Sequence, residues 1–117
     1  MRGRCTELVD DSKGVSVKTF EELEQLVSQW ATLKGIYAQG TPLAQADKTL
    51  EEAQEIRDAI VDNDQDEIAD GIGDTLVTLI IQARMQNMDI LECLSGAYDI
   101  ISKRTGKMVS GQFVKDE

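Results

Sequence analysis

Apolar residues recur at helical spacing in four stretches of this chain, separated by polar breaks. Thr19 is placed to cap the first helix, and Glu22, three residues on, completes a capping box. Phe20, Leu23, Leu26, Val27, Trp30 and Leu33 follow along one stripe, and Gly35 or Gly40 ends the element. Gln39-Gly40-Thr41-Pro42 signals a loop, with Thr41 as the next cap and Pro42 at the first helical position. The second helix is expected over 42–61, with Leu43, Ala46, Leu50, Ala53, Ile56, Ala59 and Ile60 as its apolar stripe. Val61-Asp62-Asn63-Asp64-Gln65 predicts a tight turn. The third helix starts near Asp64 or Asp66 and runs to about Gln86, burying Ile68, Ile72, Leu76, Leu79, Ile80 and Ala83. Its stretch from Thr75 to Ala83 is apolar on more than one face, which predicts cover from another subunit. Gly71 and Gly73 each weaken that helix, and make sense where helices approach closely or a site needs room. Asp89 caps a fourth helix lined by Ile90, Leu91, Leu94, Ala97, Tyr98 and Ile101, ending near Arg104 with Gly106 as its stop. The tail from Lys107 to Glu117 is expected to dock through Val109, Phe113 and Val114. The pattern predicts an all-α fold: a small four-helix bundle that oligomerises through its helices, as a homodimer or homotetramer. Residues 1–18 are expected to be a flexible arm, and residues 19–117 one domain.

Composition narrows the function. The chain has 117 residues, enough for one core, and a single proline. Its net charge of −10 argues against nucleic-acid backbone or an anionic membrane as partner. No apolar run reaches the roughly 18 residues of a membrane span, and Met1 to Asp11 lacks the apolar core of a secretory signal. Cys5 and Cys93 lie far apart in no metal-binding spacing, which favours a reduced, cytoplasmic setting over a disulfide framework. Histidine is absent, so imidazole ligands and Ser/His triads are excluded.

The chemistry lies in two acidic clusters flanking the expected turn: Glu51, Glu52 and Glu55, then Glu67, Asp70 and Asp74. Spacings of three and four stack such side chains on one helix face. Folding the two helices back on each other brings the faces together. Carboxylates so close repel, and must share protons or bind cations; a hard divalent metal is the simplest resolution. Each cluster alone is more often a solvated face. Ordinary roles compete elsewhere too. Lys48 pairs with Glu52 at i+4, Trp30 packs in the core, and Lys103, Arg104 and Lys107 complement a helix C-terminus.

The pattern Glu51-Glu52-Ala53-Gln54-Glu55, a spacer, then Glu67-Ile68-Ala69-Asp70 resembles the MazG-type nucleoside triphosphate pyrophosphohydrolases of the all-α NTP pyrophosphatase superfamily. The likeness extends to Gln29-Trp30 and Lys34-Gly35-Ile36 upstream, to Gln45, Lys48 and Leu50, and to Arg104-Thr105-Gly106-Lys107-Met108 with Gly111, Phe113, Val114 and Lys115 downstream. That tail is similar to the tails of short, phage-borne members. The resemblance implies hydrolysis of a nucleoside triphosphate between the α and β phosphates, with Mg2+, or Mn2+, held by Glu52, Glu55, Glu67 and Asp70. Asp74, one turn past Asp70, is expected as a further ligand or as the group orienting the attacking water; Glu51 sits behind the ligands. Lys48, Lys103, Arg104 and Lys107 are the cations for the remaining phosphate charge, and Trp30 or Tyr37 could stack on a base. Asp99 stands where many relatives carry an asparagine, and when ionised it cannot donate a hydrogen bond. Rival readings are a non-catalytic helical assembly module, and a hydrolase dedicated to dUTP, dCTP or a nucleotide alarmone. A carboxylate-bridged di-iron bundle is disfavoured, because its Glu-x-x-His pairs are missing.

Overall fold

Each long helix begins on a side chain that satisfies its first free backbone N–H groups. The structure is a computed structural model that describes residues 17–117. The expected arm, apart from Val17 and Lys18, lies outside the described residues, as does Cys5. Helix α1 (Phe20–Leu33) opens with the capping box. Thr19 Oγ1 accepts from Glu22 N at 3.1 Å, and Glu22 Oε1 accepts from Thr19 N at 2.7 Å. The Thr19 backbone N–H, and then its hydroxyl, hold the Glu22 carboxyl below its usual range. After the single turn α2 (Ile36–Gln39), helix α3 (Pro42–Val61) starts with Pro42 in its first turn and Thr41 Oγ1 accepting from Ala44 N at 3.1 Å. Helix α4 (Gln65–Met85) is capped by Asp64, and α5 (Ile90–Ile101) by Asp89.

The α3–α4 turn is shorter than its five-residue sequence signal. Asn63 adopts the left-handed conformation at φ 55°. Asp64 N donates to Ala59 O at 2.9 Å and Asn63 N to Ile60 O at 3.0 Å. This is a Schellman closure, with asparagine in the place usually taken by glycine. Asp64 therefore acts twice: its N–H ends α3 while its carboxylate starts α4. The result is a tight antiparallel pair.

The chain divides into two compact units, one running to Asn87 and one from Met88 to Glu117. In the first, α3 and α4 pack along their length. Gln45 Nε2 donates to Thr78 O (3.2 Å), Thr49 Oγ1 to the buried Thr78 Oγ1 (2.9 Å), and Gln82 Nε2 to Pro42 O (3.1 Å). Gly71 is buried where a Cβ would stand 2.8 Å from Ile56 Cγ1, so the expected close helix approach is found there. At Gly73 a Cβ would meet nothing within 4 Å. Helix α1 lies on α4, with Ala31 fully buried. Arg84 clamps the two helices through paired bonds to Glu24, 2.7 and 2.9 Å long.

Among the described residues the buried apolar side chains are mostly small: Ala31, Ala59, Ile80, Ile81 and Ala83. The expected burial of Ile72, Leu76 and Leu79 is not met within one chain, where they are 49, 43 and 40% exposed. Leu43, Leu50 and Ile60 on α3, and Phe20, Leu23, Leu26, Trp30 and Leu33 on α1, are likewise exposed. An antiparallel pair buries only the strip where the helices touch, and these apolar stripes are wider than that strip.

In the second unit, α5 ends at Ile101, three residues before the expected Arg104, and Gly106 opens a strand rather than stopping the helix. Strands β1 (Gly106–Val109) and β2 (Gln112–Lys115) pair antiparallel, with Met108 opposite Phe113. Ser110 and Gly111 form the two-residue turn at φ 51° and 84°, both left-handed as a type I′ hairpin turn requires. Thr105 and Asp116 clasp the open end, through Thr105 Oγ1 to Asp116 Oδ2 at 2.8 Å and Asp116 N to Thr105 O at 2.9 Å. The tail, expected only to dock through Val109, Phe113 and Val114, is thus a hairpin, in which these side chains are 44, 54 and 46% exposed. The helices still dominate, and the fold is an all-α type with this small addition. Among the described residues no helix is long and apolar enough to cross a membrane.

Candidate active site

The second acidic cluster follows a turn that reverses the chain within three residues, which brings Glu67 of α4 to the same cavity as Glu55 of α3. On α3, Glu51, Glu52 and Glu55 each bring a carboxylate oxygen within 4.8 Å of the others. Glu51 and Glu55 are exposed, whereas Glu52 is 8% exposed. A buried carboxylate is costly unless paired or bound to a cation. Here Lys48 supplies a cation: its Nζ lies 3.1 Å from Glu51 Oε1 and 3.3 Å from Glu52 Oε2. The hydrogen bond to Glu51, and then that to Glu52, raises the Lys48 ammonium above its usual value.

Towards the turn, Glu55 and Glu67 line one cavity of about 250 Å³. Asp58, Ala59, Asp62 and Asp64 complete its wall. Two of these carboxylates have local tasks: Asp58 accepts from Gln54 Nε2 at 2.9 Å, and Asp64 caps α4. Sequence reasoning passed over Asp58 and Asp62, although a signal existed. Glu55, Asp58 and Asp62 fall at i, i+3 and i+7, the continuation of the Glu51–Glu55 stripe. Glu51, expected behind the ligands, stands among the three clustered carboxylates.

Asp70 and Asp74 are exposed on α4 and lie outside that three-carboxylate group. Trp30 is 48% exposed on α1, so its ring is not core filler in the single chain. Tyr37 is half-buried, and its hydroxyl shares a hydrogen bond of 3.0 Å with Ser28 Oγ, which occupies the polar end of the ring. Asp99, Lys103, Arg104 and Lys107 belong to the second unit and are all exposed there. The Asp99 carbonyl accepts from Ser102 Oγ at 3.2 Å.

The donor set of the cluster is all oxygen and anionic, with one member, Glu52, buried. Such a set fits a hard divalent cation, and Glu51, Glu52 and Glu55 are the residues that could hold one. Helices α3 and α4, closed by a capped turn and with this set on α3, define a helical hairpin protein with a carboxylate site.

The chain belongs to the MazG nucleotide pyrophosphohydrolase domain family, whose model matches residues 40–108. The match takes in α3, α4, α5 and most of β1, and leaves α1 with Trp30 outside it. The chain is also 35% identical over 71 residues to an uncharacterized 18.2 kDa protein in the rep-hol intergenic region of Haemophilus phage HP1 (strain HP1c1). The aligned part covers 58% of this chain and 44% of the phage protein, so the chain spans less than half the length of that relative. No solved structure matches the chain.

Proposed function

We propose that the chain hydrolyses nucleoside triphosphates between the α and β phosphates, yielding nucleoside monophosphate and pyrophosphate. The observation that carries this reading is the Glu51–Glu52–Glu55 cluster with Glu52 buried, in a chain of this family. Glu52, Glu55, Glu67 and Asp70 hold Mg2+, or Mn2+, and Glu51 adds its charge beside them. When bound, such ions neutralise phosphate oxygens and make an attacking water more acidic. Asp74, one turn beyond Asp70, orients that water and accepts its proton. The half-exposed Trp30 offers a flat face for base stacking. In the second unit, Lys103, Arg104 and Lys107 form an exposed run of cations suited to a phosphate chain, and Asp99 offers a hydrogen-bond acceptor.

A nucleotide panel with magnesium, resolved by chromatography, tests the reading. Monophosphate with pyrophosphate is expected. Diphosphate with orthophosphate would reassign the cleaved bond, and no turnover of any nucleotide would favour a non-catalytic module.

We also propose that the chain works as a homodimer or homotetramer. Ile72, Leu76 and Leu79 on α4 are large apolar groups left 40–49% exposed by a single chain, and they support this state. Light scattering is expected to give at least twice the chain mass, and Leu76→Glu is expected to shift it towards the monomer. A monomeric wild-type chain would overturn this expectation.

A further inference from the structure

Lys48 stands three residues before Glu51 and four before Glu52, so one ammonium reaches both carboxylates from the same helix face. The partners differ in freedom. The Lys48 side chain is 52% exposed on a flexible four-carbon stem, whereas the Glu52 side chain is only 10% exposed. If one of them leaves the contact, it is the lysine, because its ammonium moves into water while the Glu52 carboxylate stays in place. Arg57, on the same helix, forms no ion pair among the described residues. The cluster therefore has a cation of its own, held by charge and hydrogen bonding.

Resting on the metal-holding reading above, we infer that Lys48 is a resident place-holding cation: it pairs with Glu51 and Glu52 in the metal-free chain and gives way when a divalent ion binds Glu52 and Glu55. Two effects follow from one contact. The lysine steadies the closely set carboxylates while no metal is present. It also competes with the metal, so the chain binds divalent ions more weakly than its carboxylates alone would.

The test titrates the full metal-free chain with Mn2+ by calorimetry and melts it in chelator. Lys48→Met keeps the apolar stem and removes the charge. Arg57→Gln changes net charge equally without touching the cluster. Lys48→Met is expected to bind Mn2+ roughly fivefold more tightly than wild type, to melt lower in chelator, and to gain more in melting temperature from Mn2+. Arg57→Gln is expected to change affinity by less than about twofold, as a screened, more distant charge should. If Lys48→Met does not fold, Lys48→Gln carries the same measurement. Unchanged or weaker binding in the Lys48 variant overturns the inference, as does equal tightening by Arg57→Gln; both leave the proposed metal site standing. A wild-type chain that binds neither Mn2+ nor Mg2+ overturns the inference and the proposed metal site together.

Discussion

Glu52→Gln is expected to lower nucleotide turnover by about a thousandfold or more while the chain remains helical and folded. Glutamine has nearly the shape of glutamate, so it fits the buried position without a cavity. Its carbonyl can still accept a hydrogen bond from Lys48, which also keeps Glu51 as a partner. What the substitution removes is the negative charge that a hard cation needs. It also relieves repulsion with Glu51 and Glu55, whose oxygens lie within 4.8 Å. Folding and turnover should therefore part company: circular dichroism should be unchanged and pyrophosphate release lost. Asp70→Asn should behave in the same way from the facing helix. Normal turnover in either variant would remove that residue from the proposed ligands.

Two glycines two residues apart should respond to substitution with opposite signs. Gly71→Val is expected to destabilise the chain by about 2–3 kcal/mol. A Cβ there would stand 2.8 Å from Ile56 Cγ1, so Ile56 must shift, and valine's two methyl groups add bulk where Ile56 Cα is already in contact at 3.5 Å. The cost of overpacking, about 1–3 kcal/mol for modest insertions, outweighs the few tenths that valine gains over glycine as a helix former. Gly73→Ala meets no atom within 4 Å and should stabilise the chain by about 0.5–1 kcal/mol through helix propensity alone. Urea unfolding followed by circular dichroism measures both. If Gly71→Val is as stable as wild type, α3 and α4 do not meet closely at Ile56.

Much of the local structure was legible because it depends on neighbours in sequence. Thr19, Thr41, Asp64 and Asp89 cap helices where their hydroxyl or carboxylate reaches a backbone N–H two or three residues on. The hairpin's local signal is only Ser110-Gly111 between two apolar pairs, Met108-Val109 and Phe113-Val114; strands of four residues are too short to show a period of two. The predicted burial failed where it needed long-range information. Ile72 and Ile80 have the same hydropathy, yet only Ile80 lies on the strip that a neighbouring helix covers.

The candidate site divides in the same way. By itself, the sequence determined the acidic residue types, their three- and four-residue spacing, the reversing turn between them and the absence of histidine. These follow from helical periodicity and side-chain chemistry, which act over one or two turns. Only the tertiary structure decided that Glu52 is the buried carboxylate, that Glu51 joins it and Glu55 within 4.8 Å, and that Glu55 and Glu67 share a cavity with Asp58 and Asp62. It also decided that Gly71 is a contact and Gly73 is not. Burial and approach depend on the rotation of each helix about its axis, and packing against the other helices sets that angle; periodicity within a single helix leaves it open.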